Sequence, residues 1–239
     1  KHSASNPSQT RTLDTVVWYP TLGTGPTDAG TGGILDAPVD ASSARPVVLF
    51  SHGLCGVPTQ SRVLTVQLAT YGYEVIAPSH PGFGNSEQPK SFTTVDDLAY
   101  FYLDLLDELD LKDTIVVGVS LGAWIAAEIA IKSTARLSHL VLANAVGIKV
   151  GARDTRDIVD IFAITEPELN KLAYFDPTLA ERDYKAMDEA DVRLVARNRE
   201  ASARYGWSPY MHDPKLKGRL HRIRIPTLFL WGTADRILT

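Results

Sequence analysis

The sequence predicts an α/β protein with a mostly parallel central sheet, helices on both faces of that sheet and a helical lid. Three observations carry that class. Short apolar runs rich in β-branched residues recur at Val47–Ser51, Glu74–Pro78, Thr114–Val119 and His139–Ala143. Segments with helical spacing lie between them, at 59–71, 95–109 and 121–132. A charged, helix-prone stretch, 147–224, then breaks the alternation before an apolar run returns at Pro226–Trp231. Alternating strands and helices imply right-handed crossovers and parallel neighbours. A strand that is apolar on both sides is one covered on both faces.

Each element has a local reason. Residues 1–10 are polar and read as a loose leader. Thr12–Tyr19 has strand character, and 20–46, rich in Gly, Thr, Pro, Ala and Asp, reads as long loops. Its Gly-Thr-Gly pieces neither follow a clear strand nor open a helix, so plain loop outweighs phosphate loop. The first helix stops at Gly72, and Pro81–Lys90 is turn-rich. Thr94 with Asp97 forms a capping box for a helix from Val95 to Leu109 that shows Leu98, Phe101, Tyr102, Leu105 and Leu109 on one face. Thr165-Glu166-Pro167-Glu168 is a second capping box, and Asp183–Tyr205 has helical composition throughout. The chain thus divides into a first core part at 1–146, a helical lid insertion at 147–224 and a core continuation at 225–239.

Bulk properties narrow the function. With 239 residues the chain suffices for one large α/β domain or two small ones, and its formal charge of −4 comes with both signs spread along it. Without a basic stripe, nucleic acid is not an expected partner. No segment resembles a membrane span. The single cysteine, Cys55, excludes an intrachain disulfide and reads as a small buried filler rather than a reactive thiol. No metal-ligand spacing is evident, and no cofactor is expected. Oligomeric state and compartment are not set by these features. The first residue is Lys1, which reads as something other than the native start.

The chemistry concentrates in TIVVGVSLGAWIAA, residues 114–127. A serine between a strand and a helix sits beyond the carboxyl end of a parallel strand, where ligands of such sheets bind. A sharp turn there lifts the Ser120 hydroxyl clear of the sheet and demands small neighbours, which Gly118, Gly122 and Ala123 supply. The Leu121 N–H opens the helix and points toward negative charge building beside Ser120. A second donor is expected from Phe50-Ser51-His52-Gly53-Leu54-Cys55-Gly56, where the Leu54 N–H follows a strand. Ser120, as the catalytic nucleophile, needs a base, and the base needs an acid. Asp235, just past the last apolar run in LWGTAD, fits the acid; the alternative place, after Leu140–Ala143, holds Asn144, which carries no charge.

The joint set of HGLCG after a strand, HPGFGNS, GVSLG at a corner and PTLFLWGTAD, in this order, resembles the α/β-hydrolase superfamily over roughly Pro46–Asp235. The resemblance implies the α/β-hydrolase fold, with Ser120 and Asp235 as catalytic residues, Leu54 and Leu121 as the oxyanion hole, and a small-molecule ester or acyl substrate. A serine rather than a carboxylate at the corner favours acyl transfer to water over epoxide opening or halide displacement. Arg11–Pro78 is similar to platelet-activating-factor acetylhydrolase-like and dienelactone-hydrolase-like esterases; Pro81–Asp235 is similar to lidded meta-cleavage-product hydrolases. A seam near His80 is therefore expected.

The same resemblance expects a catalytic histidine after one further strand beyond Asp235, so the sequence reads as lacking the last strand and helix of the fold. Of the six histidines present, His139 and His221 fall at the wrong edge of the sheet and His2 in the leader. His52 reads as a brace for the oxyanion loop, His80 as loop packing, and His212 as a lid residue that could dip toward Ser120. Trp124 reads as packing, while Trp207, Tyr210 and Met211 line the lid or pack its helices. The expected function is a serine hydrolase of carboxylic esters acting through an acyl-enzyme. The alternatives are a carbon–carbon bond hydrolase of the meta-cleavage type and a non-catalytic or truncated hydrolase-fold protein.

Overall fold

The computed structural model describes residues 2–3, 6–10, 12–20, 44–54, 56, 61–152 and 154–238. The expected loops at 21–43, and Cys55, lie outside the described residues. Two short strands, β1 (His2–Ser3) and β2 (Asn6–Thr10), pair antiparallel, so the expected loose leader is corrected there. A six-stranded sheet follows, built from β3 (Thr15–Trp18), β4 (Val47–Ser51), β5 (Glu74–Pro78), β6 (Thr114–Val119), β7 (Leu137–Ala143) and β8 (Thr227–Leu230) in the order β3-β5-β4-β6-β7-β8. Only the β3–β5 pair is antiparallel; the other pairs are parallel.

Three helices cover this sheet: α1 (Arg62–Thr70), α2 (Val95–Glu108) and α3 (Leu121–Lys132). Successive strand residues point to opposite faces. Leu49, Ile76, Val116 and Leu140 join a core with α2 and α3, while Val48, Phe50, Val75 and Val117 join a second core with Ala69 of α1. Continuous apolar runs are the sequence form of this two-sided burial. Every residue of α3 from Leu121 to Ile131 is buried, which explains why that helix is apolar all round. Its one acid, Glu128, is held by Lys132 at 2.8 Å and by the Trp124 ring N–H at 3.4 Å.

The α2 capping box forms as expected: the Asp97 N–H donates to Thr94 Oγ1 at 3.2 Å and the Thr94 N–H to the Asp97 carboxylate at 2.8 Å. Leu98, Tyr102 and Leu105 are buried, but Leu109 is exposed, because α2 ends at Glu108 and Asp110 turns the chain at φ 45°. Beyond β7 lie α4 (Glu166–Ala173), α5 (Glu189–Gly206) and the short α6 (Leu216–Arg219). Helix α4 carries the second capping box. Helix α5 begins later than its composition suggests: Asp188 caps it, and the Asp183 carboxylate holds the Lys185 N–H in a local turn instead. Strand β8 pairs with β7, and Leu228, Phe229, Leu230 and Trp231 are exposed.

Two substitutions separate capping from packing in α2. Thr94→Ala is expected to cost about 1 kcal/mol, and Leu106→Ala, at a fully buried position, about 2–5 kcal/mol; urea unfolding of the two variants checks the ratio.

Candidate active site

Strand β6 ends at Val119 and α3 starts at Leu121, so Ser120 alone forms the corner. Its backbone has φ 54° and ψ −113°. A non-glycine residue held in so sparsely populated a region costs on the order of 1–3 kcal/mol. Bare neighbours make the corner feasible. A Cβ on Gly118 would stand 2.3 Å from the Gly122 carbonyl oxygen, and one on Gly122 would stand 2.0 Å from the Ser51 carbonyl oxygen and 2.5 Å from that of His52. The first turn of α3 therefore rests on the backbone of the loop leaving β4. Ser120 is half-buried, does not cap α3, and has no hydroxyl hydrogen bond among the described residues. The Leu121 and Gly122 N–H groups open the helix, have no intrahelical acceptor and lie at its positive end.

Sheet register sets the other members of the rim. Val119 pairs with Ala143, and Ala143 with Leu230, so three strand ends lie in one row. The ladder continues one step further: the Ser120 N–H donates to the Ala143 carbonyl at 2.9 Å, and the Asn144 N–H to the Leu230 carbonyl at 2.9 Å. Asp235 follows β8 on this rim. Its Oδ1 accepts from the Ile237 N–H at 2.8 Å, and its Oδ2 accepts from the Asn144 side-chain amide. The Gly232 N–H donates to Asn144 Oδ1 at 3.4 Å. Ser120 follows β6 and Asp235 follows β8 at the same edge of the sheet, and the side chain of Asn144, at the end of β7, holds the Asp235 carboxylate. The sequence marks Asn144 only as a position unable to hold a charge. Its signal was an Asn at a strand end, a residue type that tolerates the left-handed backbone it adopts here, φ 47°.

The loop after β4 is braced from below. His52 and His80 are fully buried and stacked, with ring centroids 3.8 Å apart. The His80 N–H donates to His52 Nε2 at 3.2 Å, which leaves the proton on His52 Nδ1, 2.9 Å from the Gly53 carbonyl. His80 Nε2 lies 3.0 Å from the His52 carbonyl and must donate to it; His80 Nδ1 accepts from the Tyr102 hydroxyl at 2.6 Å. Burial pushes the His52 ring down to about 4, against an opposing pull from its bond to Gly53. Burial, and then the repulsion the two rings would exert if both were charged, holds His80 well below the ordinary histidine range. Burial likewise raises the Tyr102 hydroxyl, which stays a donor. Both rings are neutral with every ring nitrogen engaged, so neither is free to take a proton from Ser120.

The remaining histidines lie elsewhere. His212 Nδ1 is 2.8 Å from the Tyr210 carbonyl, and its ring lines a cavity of about 730 Å³ walled by Ile148, Ile158, Tyr210 and Lys217. His221 is exposed beside the Gly218 carbonyl, His139 is exposed within β7, and of the His2 side chain nothing is described. Among the described residues no histidine bonds to Ser120 or Asp235. Trp124 packs against Gly147, Trp207 is exposed, and Met211 is buried.

Helix α5 lies across the rim loops. Arg197 donates to the carbonyls of Gly82 and Ser86. Tyr205 donates to the Pro81 carbonyl at 3.0 Å and stacks over Phe83. Buried Asn198 accepts from the Gly84 N–H at 2.8 Å and donates to the Gly56 carbonyl at 3.3 Å. Among the described residues no helix is long and apolar enough to cross a membrane.

A family model described as serine aminopeptidase, S33, matches residues 42–239. The chain is similar to 2-hydroxy-6-oxo-2,4-heptadienoate hydrolase of Pseudomonas putida, 28% identical over 217 residues that cover 87% of this chain and 78% of the relative. It is also similar to 3-oxoadipate enol-lactonase 1 of Acinetobacter baylyi, 24% identical over 221 residues, with 87% and 78% coverage. Of solved structures, a hydrolase from Pseudomonas aeruginosa shares the fold with a TM-score of 0.67 at 21% identity, covering 100% of this chain and 81% of that one. The match to the Pseudomonas putida protein runs across His80, so the seam expected there finds no support in it.

Gly122→Ala is expected to destabilise the protein by several kcal/mol, read as a fall in melting temperature, because the methyl group meets backbone that no side-chain motion clears. The histidine pair gives a pH dependence. The unfolded His52 ring binds a proton below about 6.5, whereas the folded ring does so only near 4. Stability is therefore complete above 6.5 and falls as pH drops toward 4, by about 3 kcal/mol for this ring alone, with His80 acting in the same direction. Urea unfolding between pH 7.5 and 5, with ¹⁵N shifts of both rings, checks this; rings that titrate near 6.5 would contradict it.

Proposed function

The chain belongs to the Hydrolase_4 family (serine aminopeptidase, S33) within the α/β-hydrolase superfamily, and on that premise we propose that it is a serine hydrolase that cleaves small carboxylic esters through an acyl-enzyme. The observation that carries the reading is the backbone of Ser120, a strained corner beside two unpaired helix-opening N–H groups, on the same rim as a doubly held carboxylate.

Ser120 Oγ attacks the ester carbonyl. The Leu121 N–H and the Leu54 N–H hold the oxygen as it becomes negative, each worth about 10²–10³ in rate. The proton of Ser120 would pass to an imidazole that no described histidine supplies, and Asp235 would orient that ring and stabilise its charged form. The imidazole then protonates the leaving alcohol. Water, activated by the same ring, releases the acyl group and restores Ser120. Residues 147–224 serve as a cap over the rim, supported by the bonds of Arg197, Asn198 and Tyr205 to the loops after β4 and β5.

A second reading is favoured by one observation. The similarity to the Pseudomonas putida heptadienoate hydrolase supports hydrolysis of a carbon–carbon bond in a dienoate by the same corner serine.

The test uses a nitrophenyl ester, a fluorophosphonate label and the 239-residue chain. With no described histidine against Ser120, imidazole added to the solution is expected to accelerate hydrolysis saturably. Ser120→Ala is expected to abolish that acceleration and the label. Faster turnover of a 2-hydroxy-6-oxo-dienoate than of the nitrophenyl ester would select the second reading. Hydrolysis indifferent to Ser120, with and without imidazole, would leave a non-catalytic binder.

A further inference from the structure

We propose that Asn198, on the helix lying across the rim, is a positioning residue for the turn at Gly53–Gly56, so that the seating of α5 and the shape of the oxyanion turn are one event. The inference rests on the reading above in one respect, that the Leu54 N–H in this turn serves Ser120.

The turn is closed by a bond from the Gly56 N–H to the Gly53 carbonyl at 3.1 Å. Its entry is fixed from below, where His80 Nε2–H donates to the His52 carbonyl and His52 Nδ1–H to the Gly53 carbonyl. Its exit faces α5. There the Gly56 carbonyl accepts from Asn198 Nδ2 at 3.3 Å, and both residues are buried. The side-chain orientation is not arbitrary. The Gly84 N–H, 2.8 Å away, is a donor and requires the amide oxygen, which leaves the NH₂ for the Gly56 carbonyl. One carboxamide therefore ties the turn after β4 to the loop after β5. Helix α5 cannot lift without giving up both bonds. A buried carbonyl or N–H left alone is costly, so the turn and the helix favour the same closed arrangement.

The neighbours of Asn198 show that it is not needed merely to attach the helix. Arg197 holds the Gly82 and Ser86 carbonyls, and Tyr205 holds the Pro81 carbonyl, all in the loop after β5. Of these α5 side chains only Asn198 reaches the turn that carries Leu54. Its own backbone carbonyl accepts from Ser202 Oγ at 2.7 Å.

The chemistry of the side chain supplies a selective variant. Asn198→Asp keeps an acceptor for the Gly84 N–H but, when ionised, has no donor for the Gly56 carbonyl. Asn198→Ala removes both. Amide hydrogen exchange by NMR on the full chain at pH 8 reads the two ends separately. In Asn198→Asp the Gly56 amide is expected to exchange at least about ten-fold faster while the Gly84 amide keeps its protection. In Asn198→Ala both amides are expected to lose protection. Unchanged Gly56 exchange in both variants would overturn the proposal. So would equal loss at Gly56 and Gly84 in Asn198→Asp, since a simple anchor of the helix predicts that. A Ser120-dependent rate should fall in kcat with KM unmoved in Asn198→Asp; a rise in KM alone would contradict a role at the turn. If the wild-type chain shows no Ser120-dependent hydrolysis, the functional reading fails, and the exchange result still decides whether Asn198 shapes the turn.

Discussion

The contact between the first turn of α3 and the backbone leaving β4 is the constraint on which the rest of the site depends. The Gly122 Cα sits so close to the Ser51 and His52 carbonyls that no side chain fits between them. Corner and loop are consequently one rigid body. That proximity places the start of the helix directly against the loop that carries Leu54. His52 and His80 lie buried beside that loop, where water does not reach them.

Burial at that depth decides the protonation states. An imidazolium beneath the loop would be a charge with no acid beside it, so both rings remain neutral and act through directional bonds alone. The directions form an ordered chain from the Tyr102 hydroxyl to His80, to the His52 carbonyl, and from His52 to the Gly53 carbonyl. Each donor has one acceptor, which makes the tautomers unique. The rim above follows a similar rule with amides. Asn144 and Asn198 each offer a donor and an acceptor in one side chain, and each bridges two separate segments. A carboxylate at either place lacks the donor half.

Much of the scaffold was legible because its signals are local. Strands β4, β5 and β6 are apolar runs with β-branched residues, and two-sided burial leaves no polar alternation to blur their ends. Helix α3 was legible from its small and apolar residues after the corner, and α2 and α4 from their capping boxes. The failures have physical causes too. β1 and β2 are polar, so nothing in residue type distinguishes their pairing from a loose leader. Leu109 continues the apolar spacing of α2 but falls past the turn at Asp110. The start of α5 depends on which Asp caps it, and Asp183 and Asp188 compete as turn former and cap. Asn144 was invisible because its role is relational: it matters through Asp235, on a strand far away in sequence. The bracing of the β4 loop by His52 and the packing of His80 were readable in outline, whereas the partner Tyr102 was read only as a core face of α2.

Register explains why such distant residues meet reliably. Val119, Ala143 and Leu230 form one row, and the ladder bonds continue past it, from Ser120 to Ala143 and from Asn144 to Leu230. The corner serine and the carboxamide that holds Asp235 are thus positioned by main-chain bonds of the sheet rather than by flexible side chains. A slip of one residue between β6 and β7 would turn Leu142 and Leu140 away from the α2–α3 core as well as shift Asn144 from Ser120. The energy that fixes the site is therefore the same energy that packs the core. Precision at the rim is inherited from apolar burial several residues below it, which is why a site made of polar groups on loops can be held without a dense polar network of its own.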